Sequence, residues 1–574
     1  AGGADDDPST PFSEMSLLAL LLLALTCCEA TEWHSARCER SHHDTARYSC
    51  EVAKGEHASA DAVGSWQDTI DTTGWSNLLV RTRAAPQDDG AEAAAFSAGY
   101  LEGHLTAHRV VQHLSNARVG VGGGVRMDPL PEKVAGFLRA TDAWTRDKVA
   151  RADPDDEYWN GVRFVLAQLD GLQAGVNKKL AKDGSREQLD KMDLLTINML
   201  WELEDINLAT NVTSMANFST MNAREVSLYV RQRTHCSSIV KLLHDGSELF
   251  TGHNSWMGYH MMLRVFKRYE FGGLRPVAMT SYPGALVSGD DWFQVGNLTI
   301  TETTLPNYNN EIFAAVTPRT VPYWIRAMVA NQQARSGPDW MEVFAKHNSG
   351  TYNNMWIVVD YSKFEPYKPV REGLLTVGEQ LPDFFYYEDQ TAVLSYGYYP
   401  SYNAAVYPET ARLIKQDKMA REKGEDFSYQ MVSRAKVFRR DQADIRSDAD
   451  MQRTMQYNQF KTDPLAKGDP CNQLACRADL DKDAAARQTF GAIDAKYTSS
   501  AHVRADRTLV ISGPTKDDQP VFDWRAVDPA LAAKSSHNGQ PERFNFPWMV
   551  MGADMAASPW LGDASNIRSQ GGAE

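Results

Sequence analysis

The stretch 231–259, RQRTHCSSIVKLLHDGSELFTGHNSWMGY, constrains this chain more than any other. CSSIVKLL alternates and then runs apolar, HDGSE carries an Asp-Gly pair suited to a tight turn, and LFTGH returns. The pattern predicts a β-hairpin that opens on Cys236 and brings His253, Asn254 and Trp256 back beside it. A cysteine at the mouth of a strand, with polar groups returned to it, has the layout of a nucleophile. Whether it is one depends on how the other cysteines are used.

There are seven cysteines. The only long apolar run, 17–25, is too short to span a bilayer and has the character of a signal-peptide core, with a cut expected after Ala30. Residues 15–30 are therefore expected to be a signal peptide starting at Met15, and the acidic residues 1–14 an upstream extension. Cys27 and Cys28 would leave with it. Glycosylation sequons at Asn211, Asn217 and Asn297 fit a secretory route to a lysosomal or secreted destination. In an oxidising compartment Cys38 is expected to pair with Cys50, and Cys471 with Cys476. A zinc site from Cys38, His42, His43 and Cys50 matches no standard spacing, and the disulfide is the preferred reading. Cys236 is left alone, either as a buried structural thiol or as a reactive one.

A net charge of −15 leaves no basic surplus to neutralise phosphates, which argues against a nucleic-acid partner. Beyond the leader no run is long and apolar enough for a stable membrane anchor. With 574 residues, 43% of them hydrophobic, the chain can bury a large core and hold two or more domains.

Along the chain, residues 31–95 read as short strands and loops, with a hairpin over 65–84. Helical periodicity follows at 94–117, 132–151, 158–182 and 187–208. The GVGGGV segment, 120–125, lacks the Gly-Lys-Ser/Thr of a phosphate loop and reads as a connector. Ser, Thr and Asn dominate 208–231, which suggests an exposed linker open to nicking. Strands are expected at 237–243, 248–253, 277–282, 292–295, 298–304, 355–360 and 373–381, with helices at 255–269 and 322–335. Residues 462–473 read as loop, and the tail after Pro529 is rich in Pro, Gly and Ser with scattered aromatics. Helices followed by a strand-rich half indicate an α+β fold.

A cut between His235 and Cys236 would place a new α-amino group, reference pKa about 7.7–8, beside the thiol. A neutral amine there can take the thiol proton, so no separate histidine base is required. Residues 31–235 would then form a largely helical fragment that stays attached to 236–574. Donors for a tetrahedral oxyanion are offered by His253, Asn254, Trp256, Thr303, Thr304, Asn353, Asn354, Asn403 and Arg434, though each also suits a strand end or turn. Asp290-Asp291 is a carboxylate pair or a turn, and RRDQAD (439–444) a solvated or ion-paired face. Neither a GxSxG elbow nor an HExxH helix is present.

THCSSIVKLL and LFTGHNSWMGYHMMLRVFKRYEF resemble the mature-subunit start of the phospholipase B-like proteins, lysosomal members of the N-terminal-nucleophile hydrolases. AFSAGYLEGHLT (95–106), TSYPGALVSGDDWF (280–293), ETTLPNYN (302–309), GTYNNMWIVVDYSKF (350–364), YPSYNAAVYPE (399–409) and SRAKVFRRDQ (433–442) follow in the family's order. The chain departs from that pattern at His235, where a small hydroxyl residue is expected, in NSWMGY for the more usual N-T-W-N-D-Y, and at Pro306.

The resemblance implies an αββα sandwich of two antiparallel sheets between helical layers, and autocatalytic cleavage before Cys236. It makes Cys236 the nucleophile and, through its freed amine, the base. His253 and Trp256 would line the site, Thr303 or Thr304 would face it, and Asn403 and Arg434 would supply oxyanion and orienting contacts. The expected activity is hydrolysis of acyl ester or amide bonds in phospholipids or other acylated small molecules, without a cofactor or metal; a homodimer is left open. The rival reading is an inert glycoprotein that keeps the scaffold and binds lipid or another ligand.

Overall fold

The computed structural model describes residues 32–40, 48–84, 90–118, 129–233 and 236–552. The expected leader and extension, the 120–125 connector, His42, His43 and His235 lie outside the described residues.

Two sheets dominate. In the larger, eleven strands run from Phe384–Asp389 at one edge through Leu375–Leu381, Asn354–Asp360, Leu298–Thr304, Trp292–Val295, Val277–Ser281 and Arg264–Glu270. The N-terminal strands Trp75–Thr82, Ala62–Gln67, Trp33–Arg40 and Tyr48–Lys54 complete it. Its neighbours pair antiparallel except where Trp75–Thr82 lies parallel to Arg264–Glu270. The smaller sheet has six strands in the order Tyr398–Ser401, Ser237–Leu242, Leu249–Asn254, Asp494–Ser499, Arg507–Ser512 and Met549–Gly552.

Alternation along the strands sorts side chains into layers. Met355, Ile357 and Val359 pack against Val240 and Leu249 of the smaller sheet. Trp356 and Val358, between them in sequence, face the helical side instead. That side is covered by helices that include Ala91–Ala117, Glu157–Lys182, Tyr323–Gln333 and Gly337–Ala345. On the outer face of the smaller sheet, Ile239, Phe250, Tyr497 and Ile511 meet Phe438, Met451 and Met455 of helices Ser433–Asp441 and Asp448–Met455. The result is an α+β sandwich with helix, sheet, sheet and helix in succession. The two long helices touch backbone to backbone: a Cβ on Gly99 would lie 1.9 Å from the Gln168 carbonyl oxygen.

Most expected elements are present, with three corrections. Residues 255–269 do not form a helix: they carry strand Trp256–Gly258, a short 3-10 turn at Tyr259–Met261 and strand Arg264–Glu270. Segment 208–231 is not simply a linker, because it ends in helix Ala223–Arg231, opened by a reciprocal cap between Asn222 and Glu225. The helix expected over 187–208 is broken at Met199. Both expected disulfides form, Cys38 with Cys50 and Cys471 with Cys476, which excludes the zinc alternative at the first pair. Asn217 and Asn297 are exposed, and Asn211 is partly so.

Candidate active site

Cys236 is a free, fully buried thiol immediately before strand Ser237–Leu242. Its φ of +85° lies in the left-handed region, which costs a non-glycine residue about 1–3 kcal/mol. The hairpin register sets Ser237 opposite Asn254 and Ser238 opposite His253, so the returning strand delivers its polar residues to the cysteine.

Asn254 organises this corner. Its Oδ1 accepts from the Ser237 amide (3.1 Å) and from Trp256 Nε1 (2.9 Å). Its Nδ2 donates to the carbonyls of Met455 and Leu474, both at 2.8 Å. The amide is saturated and has no donor left for an oxyanion. The Leu474 carbonyl also accepts from Ser237 Oγ at 2.9 Å, so the loop closed by Cys471–Cys476 buttresses the start of the nucleophile strand.

Arg434 Nη1 donates to the Cys236 carbonyl at 2.6 Å and to Ser237 Oγ at 3.1 Å, and Nη2 donates to Asn403 Oδ1 at 2.6 Å. Asn403, at φ +63°, donates its own amide to the Thr304 carbonyl at 2.6 Å. Burial pulls the Arg434 guanidinium down to about 9. Its side chain is paired with neutral acceptors and the Trp256 ring, with no carboxylate in ion-pair contact among the described residues. A buried cation in that state is a ready stabiliser of negative charge developing on sulfur or oxygen.

Of the remaining expected site residues, His253 Nε2 donates to the Glu302 carbonyl at 2.9 Å, and its buried Nδ1 has no hydrogen-bond partner. Burial, then the nearby Lys496 charge, holds this imidazole well below its ordinary value, so it is neutral. The Thr303 hydroxyl meets that of Ser401 on the smaller sheet, and the Thr304 hydroxyl is buried without a partner.

The side chain beside the thiol is Glu302, one residue before Thr303 and on the opposite face of its strand. Its Oε1 lies 3.6 Å from Cys236 Sγ and 3.1 Å from the Tyr352 hydroxyl. Burial, then the charge of Glu302, raises the thiol well above its usual value. Burial and Asp291 raise Glu302 in the same way. Behind them lies a closed ionic cluster. Asp290 is 2.7 Å from Arg264 and 3.0 Å from Lys496, and those two cations also hold Asp494. Against burial, Arg264 and Lys496 keep Asp290 ionised at about 2, whereas burial and Asp290 itself keep Asp291 protonated.

Cys236 Sγ, a His253 ring nitrogen and a Glu302 carboxylate oxygen lie within 4.8 Å of one another, the one metal-ligand spacing among the described residues. Burial favours the protonated thiol and carboxyl, so a cation bound here would have to displace both protons.

A cleft of about 440 Å³ opens beside the site. Trp256, Asn403 and Arg434 form one wall, and helix Ala223–Arg231 forms another. That helix is pinned by Arg231, which pairs with Asp469 and, at 3.1 Å, with Asp481. The thiol itself does not reach the cleft in the intact chain.

Sequence reasoning placed Cys236, Trp256, Asn403 and Arg434 in one neighbourhood and missed Glu302, Tyr352 and the Leu474 carbonyl. A carboxylate inside the strand LTITETT, buried throughout, was the available signal for Glu302.

Residues 62–551 match the family model described as Phospholipase B. Over 95% of its length the chain is 32% identical to "Phospholipase B-like 1" of Bos taurus, covering 97% of that protein. It is 33% identical to "Phospholipase-B 81" of Drysdalia coronoides (86% of this chain, 88% of the relative). It is 32% identical to "Phospholipase B-like protein B" of Dictyostelium discoideum (87% of this chain, 86% of the relative). The chain belongs to the phospholipase B family.

Proposed function

We propose that the chain is a self-processing cysteine hydrolase that removes acyl groups from phospholipids or related acylated small molecules. The chain is cut before Cys236, and the new α-amine takes the thiol proton. The thiolate attacks the acyl carbonyl, and the acyl-enzyme is hydrolysed by water activated through the same amine. Arg434, held by Asn403, orients the start of the nucleophile strand and balances the charge that develops there.

The observation that carries this reading is the state of Cys236: unpaired, buried, at φ +85°, with Arg434 on its carbonyl. φ is defined by the preceding peptide bond, so scission before Cys236 removes the left-handed strain altogether. The names of the relatives support a phospholipid substrate, and the chemistry serves esters and amides alike because both pass through a tetrahedral oxyanion. The parallel pairing of Trp75–Thr82 with Arg264–Glu270 supports retention of residues 31–235 after the cut, since the two fragments share one sheet. Two disulfides support an oxidising, secreted or lysosomal setting. No helix among the described residues is long and apolar enough to cross a membrane.

The test is acyl release from lysophospholipids and from matched acyl amides by purified, processed protein, with Cys236→Ala as the control. Release from either that is lost in the variant supports the reading. Equal release by the variant, or none by the wild type, contradicts it.

A further inference from the structure

An N-terminal nucleophile explains its own proton transfer only once it is N-terminal. Before the cut the nitrogen of Cys236 is an amide and cannot act as a base, so the first reaction of the chain needs another acceptor. His253 presents Nδ1, but its imidazole is held far from protonation by burial and Lys496. Its Nε2 is committed to the Glu302 carbonyl. The group in contact with the sulfur is the Glu302 carboxyl, toward which the thiol donates at 3.6 Å.

We propose that Glu302 is the general base of the maturation cut, a role separate from hydrolysis by the finished enzyme; the proposal rests on the self-processing reading above. The Cys236 thiol gives its proton to the ionised carboxylate of Glu302, and the sulfur bonds to the His235 carbonyl carbon. Collapse of that adduct breaks the carbon–nitrogen bond. The departing nitrogen takes the proton back from Glu302 and becomes the α-amine. Water then hydrolyses the thioester, its oxygen going to the new His235 carboxyl group and a proton to the sulfur. Glu302 ends as it began, and from then on the amine does its work.

The surroundings suit a carboxyl that is ionised only when needed. Burial, with Asp290 and Asp291 close by, favours its protonated form. The Tyr352 hydroxyl, whose proton is shared between the Gly289 carbonyl (2.8 Å) and Oε1 (3.1 Å), opposes this by stabilising the ionised form. The Asn354 amide, turned with its nitrogen toward Oε2, lies 3.2 Å away and acts in the same sense. The other titratable or charged groups around the thiol–carboxyl pair include His253, Lys496, Arg434, Tyr282 and Tyr323. A carboxyl set between these opposing effects is a strong proton acceptor once ionised, which makes the cut faster as pH rises.

The experiment uses the whole chain, pulse-labelled in secreting cells, captured as precursor and incubated from pH 5 to 9, with the fragments resolved on a denaturing gel. Glu302→Gln keeps the shape and removes the acceptor. It is expected to slow cleavage at least ~100-fold, the usual worth of a general base, to melt within a few degrees of the Cys236→Ala precursor, and to resist hydroxylamine. Cleavage at the wild-type rate overturns the proposal. So does release of the fragments by hydroxylamine, because the thioester would then have formed without Glu302. Should Glu302→Gln fail to fold, Tyr352→Phe decides: the pH of half-maximal cleavage rate moves upward if Glu302 is the base and stays put if it is not. A wild-type chain that never cuts itself refutes the self-processing reading instead, and the two failures are told apart on the same gel.

Discussion

Arg434 touches the Cys236 carbonyl at 2.6 Å while its guanidinium carbon sits 4.3 Å from the centre of the Trp256 ring. One planar cation thereby joins helix Ser433–Asp441, the nucleophile and the wall of the cleft. Lysine cannot reproduce a stacked fork that also bridges to Asn403. Arg434→Lys is expected to lower kcat/KM of the processed protein by about 100-fold or more, as loss of one preorganised donor does elsewhere. Steady-state rates on the best acyl substrate check this.

Asn254 should matter for stability more than for chemistry. Replacement by leucine removes the side-chain partner of the Ser237 amide and of the Met455 carbonyl, and leaves Trp256 Nε1 and the Leu474 carbonyl one hydrogen bond short. The expected loss is about 3 kcal/mol, since a buried unsatisfied group costs roughly 1–3 kcal/mol. A lowered thermal melting point, already present in a Cys236→Ala background, would separate this from any catalytic effect.

The hairpin and its partners were legible because they obey local rules. Trp292–Val295 and Leu298–Thr304 alternate around a Gly-Asn turn, and the sequence placed both at their observed bounds. A helix is expected over 255–269, and Tyr259, Leu263 and Phe266 do recur there at helical spacing, yet Arg264–Glu270 is a strand. Its charged residues also hide a strand buried along nearly its whole length. Arg264 and Lys267 are tolerated there only because Asp290, Asp494 and Glu102 come to them from distant segments. Glu302 escaped for a similar reason. Its partners Cys236 and Tyr352 are 66 and 50 residues away, and no local pattern joins them.

Buried carboxyls make part of the fold's stability depend on acidity. Burial raises Glu202, Asp205 and Glu379 to about 7 and Glu204 to about 8. Each binds its proton more tightly folded than unfolded, so its contribution is full below about pH 4 and is lost as pH climbs through 7 to 8. Asp290, held at about 2, works the other way below about pH 4, and so, from about pH 6.5 downward, do His104, His113 and His260, which burial holds at about 4, 3 and 4. Glu202→Gln with Asp205→Asn is expected to reduce the melting temperature at pH 5, relative to that at pH 8, by several degrees against the wild type. Scanning calorimetry across that range is the check.

The Cys471–Cys476 loop carries the Leu474 carbonyl to the nucleophile strand. Replacing both cysteines by serine is expected to cost about 2 kcal/mol, the chain-entropy value for so short a loop. It should also lower activity more than Cys38→Ser with Cys50→Ser, whose disulfide lies at the far edge of the larger sheet. Melting points and acyl-release rates of the two double variants make the comparison.

The account stands most directly on the covalent state of the purified protein. Intact-mass and N-terminal sequencing of material recovered from its native compartment are expected to give two chains held in one particle, the second beginning at Cys236, and a single uncut chain for Cys236→Ala. A wild-type protein recovered only as one continuous polypeptide, or cut at the same bond in Cys236→Ala, would contradict it.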